Sequence, residues 1–104
     1  MPSEPLRTPE VESLLAAFAS LDSADDVYAF LLDVCTIREI QEMAQRLAVA
    51  RMLAGGVHYP EIQRATGASP TTISRVSRCV NYGAGGYRRV IERLGTIEGT
   101  GEPS

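Results

Sequence analysis

The stretch YPEIQRATGASPTTISRVSRCVN, residues 59–81, decides how the chain folds. Pro60 suits the first turn of a short helix, where a missing N–H is not needed. Gly67 can take the positive φ that ends that helix. Ser69 then caps a second helix, with Pro70 as its first residue. Ile62, Ala65, Ala68, Ile73 and Val76 are spaced to face inward and hold the two helices together. Gln63, Arg64, Thr71, Thr72, Ser74, Arg75 and Arg78 are left facing out. The pattern is that of a helix-turn-helix.

A second helix with small hydroxyls and arginines at its start suits the major groove of double-stranded DNA. Thr and Ser can bond base edges or phosphates, and Arg prefers guanine or phosphate. The candidate DNA-contacting residues are Gln63, Arg64, Ser69, Thr71, Thr72, Ser74, Arg75 and Arg78. A surface hairpin with ordinary polar residues would not need both prolines, the glycine and the apolar spacing to coincide.

The net charge of −3 hides a segregation. Residues 1–42 carry nine acids and two arginines, a charge of −7. Residues 43–93 carry two acids and eight arginines, a charge of +6. Glu98 and Glu102 follow in the tail. The motif therefore sits in a basic half. Local charge governs phosphate binding, because the Debye length is only about 8 Å in physiological salt.

Working outward, the rest of the chain reads as helices around this motif. Residues 1–8 form a flexible start. Thr8 caps a helix from Pro9 whose stripe is Val11, Leu14, Leu15, Phe18 and Leu21. Ser23 opens a second, with Val27, Phe30, Leu31 and Val34 on one face. Thr36 and Glu39 form a capping box for the longest helix, about Ile37 to Ala54. Its main stripe is Ile40, Met43, Ala44, Leu47 and Ala50, and Gly55-Gly56 ends it. Tyr82 to Tyr87 holds three glycines but lacks the strand and Lys of a phosphate loop, so it reads as a turn whose tyrosines pack the corner. A last helix spans about Tyr87 to Leu94, with Val90, Ile91 and Leu94 inward. The expectation is an all-α domain of six short helices over 9–94, with a disordered tail at 95–104. The first two helices carry more apolar surface than a monomer of 104 residues needs. Pairing across a two-fold axis would bury it and supply two recognition helices.

Enzymatic function is not expected. There is one histidine, His58, and the two cysteines, Cys35 and Cys79, lie 44 positions apart without metal-ligand neighbours. No cofactor, metal or membrane partner is implied. No secretory signal is visible at the N-terminus, so a cytoplasmic protein, nucleoid-associated when on DNA, is expected.

Cys35–Gln41, Gln45–Arg51, Gly67–Ser69, Thr72–Val76 and Arg78–Gly83 resemble the YerC/YecD group of Trp-repressor-like proteins, over about residues 25–94. The resemblance implies an intertwined homodimer that binds DNA and regulates transcription in a bacterial cytoplasm. It places Thr71, Thr72 and Ser74 where the Trp repressor meets base edges and phosphates. It places Arg75, and with a one-residue slip Arg46, at the arginines that flank the repressor's bound indole. Thr36 falls near the same pocket with the same slip. Val76 departs from the pattern, because the Trp repressor has glycine there. A β-branched side chain fills part of the pocket, which argues against tryptophan as effector. Two alternatives remain: a helical interaction module, and a sensor of a small anionic ligand beside Arg46 and Arg75.

Overall fold

A capping side chain opens four of the six helices in the computed structural model, which describes residues 5–99. The helices are α1 (Pro9–Ala19), α2 (Ala24–Val34), α3 (Ile37–Ala54), α4 (Tyr59–Thr66), α5 (Pro70–Tyr82) and α6 (Gly86–Leu94). No strand occurs among the described residues, and the all-α expectation is met. None of these helices is long and apolar enough to cross a membrane. The chain divides into two units, Met1–Ile40 and Gln41–Ser104.

In the first unit, Thr8 Oγ1 accepts the Val11 amide at 3.2 Å and Ser23 Oγ accepts the Asp26 amide at 3.1 Å. The Thr36–Glu39 box is reciprocal. Thr36 Oγ1 accepts the Glu39 amide at 3.1 Å, and Glu39 Oε1 accepts the Thr36 amide at 2.8 Å. Each such cap satisfies a helix-end donor and stabilises by about 1 kcal/mol. Phe18 and Phe30 meet edge to face with ring centroids 5.2 Å apart. Residues 1–4 lie outside the described part, but 6–8 are not loose. The Thr8 amide donates to the Leu6 carbonyl, and Arg7 makes a two-pronged pair with Glu12 at 2.7 and 2.9 Å. No side chain of α1 or α2 is fully buried. Leu14, Leu15, Leu32 and Val34 remain 40–54% exposed.

The second unit holds the core. Val49, Ala50, Val57, Ile62, Ala68, Ile73 and Val76 are buried, with Met52, Leu53, Val80, Tyr87 and Ile91 packed around them. The α3 stripe lies differently from the spacing-based expectation. Met43 and Ala44 are exposed, and Val49 is buried beside Ala50. Only the second half of α3 has α4 and α5 to pack against. Its end is a Schellman motif, in which the Val57 amide reaches the Met52 carbonyl and the Gly56 amide the Leu53 carbonyl. That bend carries Val57 into the core.

Four other expectations need correction. Ala65 is exposed, and half-buried Thr66 turns inward, where its hydroxyl donates to the Ile62 carbonyl at 2.7 Å. Tyr82 is 86% exposed, so of the two corner tyrosines only Tyr87 packs. The corner is held by Arg88, whose guanidinium donates to the Val80 and Asn81 carbonyls at the end of α5. Val90 and Leu94 are partly exposed, leaving Ile91 as the inward residue of α6. Finally, residues 95–99 are anchored rather than free. The Ile97 amide donates to the Arg51 carbonyl at 3.0 Å, and the Arg51 side chain donates to the Leu94 and Gly95 carbonyls. Residues 100–104 of the expected tail lie outside the described part.

Candidate nucleic-acid interface

The turn between α4 and α5 is three residues long, Gly67 to Ser69. Gly67 has φ 75°, a conformation in which a Cβ costs about 1–2 kcal/mol. Three side chains hold the turn from inside. Gln45 of α3 donates to the Thr66 carbonyl at 3.0 Å, the Thr66 hydroxyl accepts the Ala68 amide at 3.1 Å, and Ala68 is itself buried. The start of α5 is thereby fixed to α3 as well as to α4.

Ser69 caps α5. Its Oγ accepts the Thr72 amide and donates to Thr72 Oγ1, both at 3.1 Å. These two hydroxyls are occupied with each other, and Thr72 is half-buried. Thr71, Ser74, Arg75 and Arg78 are exposed. Their spacing of i, i+3, i+4, i+7 makes one continuous stripe along α5. Ile73 and Val76 occupy the opposite, buried face. Gln63 and Arg64 are exposed on α4. Arg64, Arg75 and Arg78 make no hydrogen bond or ion pair within the described residues, whereas Arg51 and Arg88 are committed to helix-end carbonyls. The structure separates the arginines into two that hold the fold and a set that projects into solvent.

Arg75 also borders a cleft. Arg46, Thr72, Arg75, Val76, Cys79 and Tyr87 line 290 Å³ of open space on the other flank of α5. Val76 is 2% exposed and forms its floor. Burial raises the Tyr87 phenol above its ordinary pKa, the Arg46 guanidinium opposes that rise, and Cys79 adds to it. A second, apolar cavity of 500 Å³ shares Cys79 and Tyr87, and is lined further by Leu47, Gly83, Ala84, Gly86 and Val90.

Of the four residues expected at a ligand pocket, Arg46, Arg75 and Val76 come together. Thr36 belongs to the other unit, where its hydroxyl serves the α3 capping box. Cys79 and Tyr87 were not expected at the cleft. Cys79 could have been found, because it lies four residues beyond Arg75 on the same helix. Tyr87 reaches the cleft only because the glycine turn folds α6 back onto α5. Among the described residues, no group of three or more His, Cys, Asp or Glu side chains could hold a metal ion.

Comparison with known proteins agrees with this architecture. The chain is 46% identical to the uncharacterized protein YerC of Bacillus subtilis (strain 168) over 98 residues, 94% of each chain. It is similar to a crystal structure of a TrpR-like protein from Eubacterium eligens ATCC 27750. That match has a TM-score of 0.84 at 52% identity and covers 89% of this chain and 96% of the other. It is also similar to a candidate Trp repressor from Staphylococcus aureus. That match has a TM-score of 0.85 at 37% identity and covers 94% and 98% of the two chains. The family model described as Trp repressor protein matches residues 9–95. That family is a regulatory, DNA-binding one and not an enzymatic one. Six helices in this order, with a capped α5 behind a tightly held turn, match it in structure as in sequence, and the chain belongs to the Trp repressor family.

Proposed function

We propose that this protein is a homodimeric, sequence-specific DNA-binding transcriptional regulator of the cytoplasm, and that tryptophan is not its effector. The observation that carries the reading is the exposed stripe of Thr71, Ser74, Arg75 and Arg78 on α5, flanked by Gln63 and Arg64 of α4. A rigid helix with unpaired arginines can neutralise phosphates, and small hydroxyls beside them can meet base edges. Ser69 and Thr72 contribute by fixing the start of that helix. The homodimer is supported by the half-exposed apolar side chains of α1 and α2, which a second copy would cover.

The test is selection of random duplex DNA by the purified protein, then binding at several salt concentrations. The expected result is an enriched pseudo-palindrome with half-sites about one helical turn apart. Binding with no enriched sequence would reduce the reading to an electrostatic surface. No binding at low salt would overturn it. Titration with L-tryptophan should give no calorimetric heat, because Val76 occupies the floor of the cleft.

The cleft favours a second, compatible reading. Two guanidinium groups, Arg46 and Arg75, border one opening and have no ion pair among the described residues. A small carboxylate or phosphate compound other than tryptophan suits that pair. A screen of such anions for a rise in melting temperature tests it, and a flat screen counts against an effector of this class.

A further inference from the structure

Residues 96–99 lie beyond the stretch that matches the family, yet they are tied to the helix-turn-helix unit. The anchoring is specific. The Ile97 amide donates to the Arg51 carbonyl, which also accepts the Gly55 amide at the end of α3. The Arg51 guanidinium grips the Leu94 and Gly95 carbonyls at 3.1 and 2.9 Å. Gly55 is the bed of this contact, since a Cβ there would overlap the Ile97 carbonyl. Ile97 is half-buried, and Gly99 lies against the Glu61 carboxylate in the first turn of α4.

We propose that residues 95–99 form an acidic strap, docked beside α4, that weakens DNA binding until the approaching duplex displaces it. The proposal rests on the DNA-binding reading above. Charge and distance support it. Glu98 has no arginine partner among the described residues; its carboxylate accepts only the Thr96 hydroxyl. Arg64 follows Glu61 by three residues, about 4.5 Å along the helix axis. The strap therefore brings the Glu98 charge to the side of α4 whose Arg64 is a candidate phosphate contact. Its charge would repel the phosphates of a duplex that approaches Arg64. Within the described residues the strap is held by hydrogen bonds to Arg51 and by one half-buried side chain. A segment held this way can be exchanged for DNA without unfolding the core.

The experiment compares the wild-type chain with two variants, Glu98→Gln and Gly55→Ala. The first keeps the backbone anchors and removes the charge. The second keeps the charge and removes the bed. Binding to a fluorescent duplex is measured at low and high salt. The neutralised variant should bind about three- to ten-fold more tightly at ~50 mM salt, with the gain lost by ~300 mM. Gly55→Ala should shift affinity the same way and lose hydrogen-exchange protection of the Ile97 amide. In wild type, that protection should fall when DNA is added. Wild-type binding with no gain in the neutralised variant overturns the strap alone, whatever the stability of Gly55→Ala. A gain that persists at high salt also overturns it. Failure of all three proteins to bind any duplex at low salt overturns the DNA-binding reading and the strap with it.

Discussion

At Tyr87 burial and a nearby guanidinium act in opposite directions on the phenol, and burial prevails. A folded pKa raised above the ordinary value of 10.0 means that the neutral phenol is favoured by folding. Its contribution to stability is fully present below the unfolded value and is lost as pH rises through the folded one. With four tyrosines and no tryptophan, phenolate absorbance follows this directly. The Tyr87 phenolate should appear above the ordinary value, and Tyr87→Phe should remove that component. Val76 acts through volume instead. Val76→Ala would leave a void under the cleft and should cost about 2–3 kcal/mol in chemical denaturation. Arg78 is the opposite case, exposed and without a partner among the described residues. Arg78→Ala should leave stability unchanged and lower the slope of log affinity against log salt by about one.

At the scale of the element, the turn before α5 is over-determined. Gln45, Thr66, Gly67 and Ser69 each satisfy a backbone group or permit its geometry. Ser69→Ala removes one cap and should cost about 1 kcal/mol, or about 4–8 °C in melting temperature for a domain of this size. DNA affinity should fall more than that loss alone explains, because the cap also fixes the first turn of the helix that carries Thr71. Equal affinity at matched folded fraction would separate the cap from binding. The ends of α3 and α5 were legible within a residue because Ser, Thr, Pro and Gly act through local bonds. Ala65 and Met43 were misread because periodicity shows which residues share a helix face, not how far along it a neighbour extends. The role of Gln45 was not legible at all, since its partner lies 21 residues away.

For the whole molecule, the acids concentrate in the first 42 residues and the arginines in the segment that follows. The second unit has a buried core; α1 and α2 have none. Ile37, Leu32 and Val34 stay 69%, 47% and 54% exposed, and Leu14 and Leu15 more than a third. Under the proposed homodimer, a charged replacement such as Leu14→Glu should convert dimer to monomer in sedimentation. It should also abolish binding to a two-half-site duplex while leaving helical circular dichroism largely intact. Unchanged sedimentation would remove this face from the interface.

By itself the sequence determined the helix count, the position of the helix-turn-helix, its capped second helix and the outward polar stripe. These follow from residue chemistry at short range: caps, proline starts, a left-handed glycine and apolar spacing. The tertiary structure decided which arginines are spent on the fold, that Tyr87 closes the cleft, and that residues 95–99 return to α3. Each of those depends on a partner brought near by packing rather than by chain order. Arg51 shows the difference plainly: by sequence it is one more charge in a basic half, and in the folded chain it grips carbonyls 43 and 44 residues away.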